Sequence, residues 1–262
     1  MSSIPLFVTI KKWTDPLLKE IHPYADGIVI GDLFCQKRMF ENEWFDVIEL
    51  ATHAKELNLR VTFQTPVYNT SKTFDTMLCL LRKLYKKKIV DAIFVHDIGV
   101  LQALKELQGI ELWWDNFAFN RDFVPNKDLI EFLKLQGISN IEVKTSSHIK
   151  EVSEQDCGII LFGYGPNITS FSRICYTEYF LDEPCERKLL CRNEHPFIVS
   201  VDKNPLQYIA DGYTLIDRNT PIHFLPEIEP KLMRKVDAIR IYIENINDIQ
   251  SVSAFIKTFD KQ

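Results

Sequence analysis

The chain has 262 residues, a formal net charge of −5, 46% hydrophobic and 26% charged residues. This is the balance of a globular protein that folds on a large core without staples, and the acidic excess argues against a dedicated nucleic-acid binder, which would carry a basic surplus. The N-terminus shows no basic stretch ahead of an apolar one, and no apolar run reaches the roughly 18 residues of a membrane span, so the expectation is a cytoplasmic protein with reduced thiols.

Short β-rich runs alternate with helix-period segments from the start. Pro5 to Ile10 is predicted as a strand, Asp15 to Tyr24 as a helix, and Gly27 to Gly31 as a second strand that leads into the loop carrying Cys35. Helical spacing of Val47, Ile48, Leu50, Ala51, Ala54 and Leu57 predicts a helix over Phe45 to Leu57. Strands at Arg60 to Gln64, Ala92 to Val95, Ile110 to Trp114, Asn140 to Val143 and Gly158 to Phe162 are separated by helices at Phe74 to Lys88, Gly99 to Leu107, Asn126 to Leu135 and His148 to Val152. Gly137 closes the third of these helices as a stop signal. Seven strands alternating with helices over about 160 residues fit a (β/α)-barrel of the TIM-barrel type better than a flat sheet.

The rhythm breaks after Gly165. The segment from Tyr164 to Pro196 holds Gly165, Pro166, Pro184, Pro196 and three cysteines without clear period. Phe197 to Val201 is strand-like again, and the runs Thr214 to Asp217 and Ile222 to Leu225 flank the turn signal Asn219-Thr220-Pro221, which predicts a hairpin. Ala238 to Ile243 is a last strand and Ile246 to Phe259 a closing helix. The expected architecture is one α/β domain over residues 1–262, a barrel with a Cys-rich segment at 164–196 and a β-rich C-terminal elaboration.

Cys175, Cys185 and Cys191 lie within the irregular segment with nine residues between the first two and five between the last two. Irregular backbone suits metal binding, because thiolates must converge on one point from several directions. Cys35 follows the second strand and Cys175 the seventh, and in a parallel barrel all strand C-termini open on one face, so these cysteines can meet there. Four thiolates suit a tetrahedral zinc or a [4Fe–4S] cluster equally. Cys79, among Met77, Leu78, Leu80 and Leu81, is expected to pack in the core, and Cys157 is expected to be structural.

Gly163-Tyr164-Gly165-Pro166 followed by Ser172-Arg173-Ile174-Cys175 resembles the signature of peptidase family U32, the collagenase-like proteins. Gly31-Asp32-Leu33-Phe34-Cys35-Gln36-Lys37-Arg38 resembles the second-strand motif of its short UbiV-type members in ubiquinone biosynthesis. His96-Asp97-Ile98-Gly99 and Phe119-Asn120 are similar to family motifs after the fourth and fifth strands. The resemblance implies a barrel-like fold and a [4Fe–4S] cluster on Cys35, Cys175, Cys185 and Cys191. It also implies O2-independent hydroxylation of an aromatic, quinone-precursor ring in a heterodimer with a second subunit of the family, with prephenate as the implicated hydroxyl source. RNA-base hydroxylation and a non-catalytic accessory role are the alternatives. A peptidase is the least supported, with no HExxH or GxSxG in the chain.

Strand ends supply further candidates. His96 can act as an acid or base near neutrality, and Asp97 can either join it or cap the next helix. Trp113-Trp114-Asp115-Asn116-Phe117-Ala118-Phe119-Asn120 offers aromatic faces and amides for a flat ring, with Trp114, Asp115 and Asn120 placed nearest the substrate. Arg38, Arg173 and Arg240 could gather at the same face and take a dicarboxylate such as prephenate in bidentate fashion. Lys83, Lys86, Lys87 and Lys88 read as a solvated helix end.

Overall fold

The computed structural model describes residues 4–10, 13–31, 44–66, 71–116, 125–166, 168–171, 175–182, 197–200, 207–211, 214–217, 222–243 and 246–259. Seven strands and the six described helices between them run in order: β1 (Leu6–Ile10), α1 (Asp15–Ile21), β2 (Gly27–Ile30), α2 (Trp44–Glu56), β3 (Arg60–Gln64), α3 (Ser71–Lys86), β4 (Ala92–Val95), α4 (Ile98–Leu104), β5 (Glu111–Trp114), α5 (Lys127–Leu135), β6 (Ile138–Val143), α6 (Ser146–Ser153) and β7 (Gly158–Gly165). An insert follows, and the chain returns as β13 (Ala238–Ile243) and α9 (Ile246–Phe259). Strands β1 to β6 pair in parallel in sequence order, β6 pairs with β7, and β13 closes the ring between β7 and β1. The result is the eight-stranded parallel barrel that the alternation predicted.

Local chemistry explains the segment ends. Thr14, Asp97, Asn126 and Thr145 each accept a backbone N–H in the first turn of α1, α4, α5 and α6, which satisfies donors that a helix start leaves open. Gly137 sits at φ +93° just past α5, where a side chain would be strained. Gly31, at φ +122°, lies against the backbone of Gln64 so closely that a Cβ there would collide with it.

Alternation along the strands sorts residues into two cores. Val8, Ile28, Val61, Ile93, Leu112, Ile141, Leu161 and Ile239 point outward and pack with Leu18, Ile21, Ala51, Leu81, Leu101 and Val152 of the helices. Phe7, Val29, Ala92, Phe94, Trp113, Ile160 and Ala238, all from strands, fill the lower barrel as a separate plug. Trp113 meets Phe7 and Phe94 edge-on, at centroid distances of 5.2 and 5.1 Å.

The insert differs in part from the sequence expectation. Ile168–Phe171 (β8), Phe197–Ser200 (β9), Gln207–Asp211 (β10) and Thr214–Asp217 (β11) form a second, antiparallel sheet in the order β8-β11-β10-β9. The hairpin lies between β10 and β11, with Asp211 opposite Thr214, and not across Asn219-Thr220-Pro221. The overlooked signal is Gly212-Tyr213, the two residues between that pair, with glycine first as a two-residue hairpin loop favours. Ile222–His223 (β12) instead pairs antiparallel with Gly165 and Tyr164 at the end of β7. The segment thought irregular contains β8 and a short helix, α7 (Tyr176–Leu181). A one-turn helix, α8 (Pro230–Met233), then leads back to β13. Cys79 corrects another expectation: Met77, Leu78, Leu80 and Leu81 take the buried side of α3, and the intervening cysteine is exposed.

Candidate functional site

One step up each strand from the apolar plug, the barrel interior turns polar. Phe7 is followed two residues on by Thr9, Phe94 by His96, Trp113 by Asp115 and Ala238 by Arg240. A strand's period of two puts each of these pairs on one face. Gln64 of β3 and Glu142 of β6 complete the layer, and all six side chains are buried. The layer sits toward the C-terminal ends of the strands, the mouth where barrel enzymes do their chemistry.

Arg240 organises it. Its Nε donates to Thr9 Oγ1 at 3.0 Å, and Nη2 donates to Gln64 Oε1 at 2.6 Å. Nη1 donates to both Glu142 Oε2 at 2.9 Å and Asp115 Oδ2 at 3.2 Å. Gln64 Nε2 also donates to Asp115 Oδ2. Below, the guanidinium lies over the Phe94 ring at 4.5 Å from its centroid, so a cation–π contact joins the polar layer to the plug. Arg240 is thus held by the protein's own groups at the barrel axis and acts as a positioning residue for two carboxyl groups.

His96 stands beside this group. Its Nε2 lies 2.8 Å from the carbonyl of Thr65 and its Nδ1 3.8 Å from Asp115 Oδ2. A carbonyl only accepts, so Nε2 carries the proton and Nδ1 of the neutral ring keeps a lone pair. Burial pushes the His96 pKa down, against the pull of the Asp115 charge, and keeps the imidazole neutral. Burial, followed by the Asp115 charge, pushes Glu142 up to about 8, against the opposing pull of Arg240 and Lys144. Lys144, just beyond Glu142 on the same inward face, is pushed down by its own burial. Among the described residues, Glu142 Oε1 and His96 Nδ1 are buried with no hydrogen-bond partner. The layer therefore gathers two carboxyl groups and an imidazole around one guanidinium, with burial favouring the proton on Glu142 and disfavouring it on His96.

The other sequence candidates fall in different places. Asp97 caps α4, its Oδ1 accepting from Val100 N at 2.9 Å. Trp114 lies in the outer shell, because alternation turns it away from the interior that Trp113 and Asp115 occupy. Its indole donates to Asn116 Oδ1 at 3.1 Å, and Asn116 Nδ2 donates to the carbonyl of Glu142 at 3.1 Å. Cys175 is 4% exposed, at the residue preceding α7, in the insert that leaves the barrel at the end of β7. Cys157 lies at the opposite end of β7, and its Sγ is 3.5 Å from the carbonyl of Ser139. Cys35, Arg38, Asn120, Arg173, Cys185 and Cys191 lie outside the described residues. Among the described residues no three His, Cys, Asp or Glu side chains gather as metal ligands, and no helix is long and apolar enough to cross a membrane.

Thr9, Gln64, Glu142 and Lys144 were not anticipated. The signal was there for Glu142 and Arg240: each is a lone charge among aliphatic neighbours, at an inward position of a strand buried on both faces.

The family model of Peptidase family U32 matches residues 15–201 of the chain. No curated protein matches it. Solved structures with a similar barrel include N-(5'-phosphoribosyl)anthranilate isomerase from Pyrococcus furiosus, at 9% identity and TM-score 0.44, covering 97% of this chain and 99% of that one. The spore cortex-lytic enzyme SleL of Bacillus megaterium shares 13% identity at TM-score 0.45, over 97% of this chain and 73% of that one. Type I 3-dehydroquinate dehydratase from Clostridium difficile shares 14% at TM-score 0.44, over 62% and 77%. These likenesses carry nothing about activity.

Proposed function

Because the chain belongs to peptidase family U32, we propose that it serves, with a second subunit of that family, in O2-independent hydroxylation of an aromatic ring and carries a [4Fe–4S] cluster. The observation that supports a chemical role is the Asp115-centred polar layer, buried at the strand ends above an apolar plug. Charged groups fixed in such a place act on a bound molecule without rearranging, in surroundings where water does not weaken them.

For the cofactor, the buried thiol of Cys175 fits a ligand, and it belongs to a segment that starts at the mouth end of β7. Cys35 stands four positions after Gly31, which lies past the end of β2 and packs against the backbone of Gln64 in the polar layer. Cys35, Cys175, Cys185 and Cys191 would hold the cluster, with zinc as the alternative for the same four thiolates. When bound, the cluster supplies one-electron transfer.

The proposed reaction converts a ring C–H and a donor C–OH into a ring C–OH and a donor C–H. The donor, an organic hydroxyl compound such as prephenate, takes up the two electrons that the ring loses. In this reading Asp115 orients the polar edge of the ring, Arg240 and Gln64 hold Asp115 in place, and the plug of Phe7, Phe94 and Trp113 closes the floor against water.

The test is turnover without oxygen. Anaerobically purified protein and its partner subunit, given a phenolic quinone precursor and prephenate, should yield a product heavier by one oxygen atom, and Asp115→Asn should remove most of that yield. Equal yields from wild type and Asp115→Asn, or product oxygen traced to O2, would overturn the reading.

A further inference from the structure

Two of the buried side-chain atoms without a hydrogen-bond partner among the described residues, His96 Nδ1 and Glu142 Oε1, belong to the polar layer and are complementary to each other. His96 gives its only ring proton to the Thr65 carbonyl, so Nδ1 is an acceptor. Glu142 Oε2 accepts from Arg240 at 2.9 Å, so a proton on this carboxyl resides on Oε1, which becomes a donor. Both atoms flank the same charge pair: Nδ1 is 3.8 Å from Asp115 Oδ2, and that oxygen shares Arg240 Nη1 with Glu142 Oε2. Buried polar atoms without partners are costly, and in native structures they mark a bound water or ligand.

We infer that the barrel mouth binds a neutral hydroxyl group, which donates a hydrogen bond to His96 Nδ1 and accepts one from Glu142 Oε1. A hydroxyl oxygen is the simplest group that both donates and accepts at one atom. An anion is disfavoured, because the Asp115 carboxylate lies 3.8 Å from Nδ1 and shares Arg240 Nη1 with Glu142, and Arg240 is already held by four protein groups. A cation is disfavoured by the same guanidinium. The neutral state of Glu142 is set by its burial and by Asp115 from β5, opposed by Arg240 from β13 and Lys144 from β6. That of His96 is set by burial, opposed by Asp115 and Asp97 and aided by Arg240. The inference deepens the proposed function by naming the ligand chemistry at the same mouth, and it rests on that reading only in placing substrate there.

The experiment needs neither cluster nor turnover, so the two ideas fail separately. The full chain labelled with 15N-histidine is titrated with phenol and, in parallel, with anisole, which has the same ring but no hydroxyl donor. His96, assigned by loss of its signals in His96→Leu, should be a neutral Nε2–H tautomer. Phenol should shift its Nδ1 signal to saturation, and anisole should bind at least about tenfold more weakly, the effect of one lost buried hydrogen bond. Glu142→Gln keeps a carbonyl for Arg240 and an N–H for the ligand, so it should retain phenol affinity within about threefold, whereas Glu142→Leu should lose about tenfold or more. Equal binding of phenol and anisole, an Nδ1–H tautomer, or no phenol-dependent shift because the site holds ordered water only, would overturn the inference. The phenol–anisole comparison on the wild-type chain decides it even if a variant fails to fold.

Discussion

Arg240 and Asp115 meet across the barrel interior with Nη1 3.2 Å from Oδ2, although 125 positions separate them in the chain, and both side chains are fully buried. Taking two charges out of water is costly, and the pair persists because Thr9, Gln64 and Glu142 complete its hydrogen bonds. Removing one partner leaves the other charge buried and uncompensated. Arg240→Met should cost about 3–5 kcal/mol of stability in denaturant titration. The double variant Arg240→Met with Asp115→Leu should recover much of that loss. A single variant within about 1 kcal/mol of wild type would show that the pair does not hold the barrel mouth.

Glu142 makes stability depend on pH in a defined sense. Its folded pKa, about 8, lies above the ordinary 4.5, so the folded state binds the proton more tightly than the unfolded chain. Its contribution is fully present below pH 4.5 and is lost as pH rises through about 8. Glu142→Gln cannot ionise. Its stability relative to wild type should therefore improve between these limits by up to about 1.4 kcal/mol per pH unit, and level off above. A difference that stays constant from pH 5 to pH 9 would mean that Glu142 is ionised in the folded protein throughout.

His96 gives the opposite flank. Burial lowers its pKa from 6.5, so its contribution is fully present above that value and is lost as pH falls below it. Histidine-resolved NMR should find the midpoint of this ring below 6.5, with the proton of the neutral form on Nε2. A midpoint near 6.5 would contradict the burial of the side chain.

Asp97 is predicted to matter as a cap. Asp97→Ala should cost about 1 kcal/mol, and Asp97→Asn or Asp97→Ser should restore most of it, because either side chain can accept from Val100 N. If both replacements destabilise as much as alanine, capping is not the role of this carboxylate.

The barrel was legible because its signals are local: aliphatic strands, helices with polar starts such as Thr14 and Asn126, and a stop at Gly137. The second sheet was only half legible. The turn signal of Asn219-Thr220-Pro221 outweighed Gly212-Tyr213, although the latter two residues stand between the paired Asp211 and Thr214 of β10 and β11. At the site, position along the strand identified His96, Asp115 and Arg240 as mouth residues. Which way they face, and what they meet, depends on closure of the ring, which brings Arg240 of the last strand to Gln64, Asp115 and Glu142. Trp114 shows the limit in the other direction: of two adjacent tryptophans only one can face inside, and composition alone does not say which.

The proposed cluster is open to direct measurement. Protein purified without oxygen should be brown and contain about four irons and four acid-labile sulfides per chain. Serine substitution at Cys35, Cys175, Cys185 or Cys191 should lower both counts together, while Cys79→Ser should leave them unchanged. A colourless protein with a single zinc, or iron that survives all four substitutions, would contradict a cluster held by these thiolates.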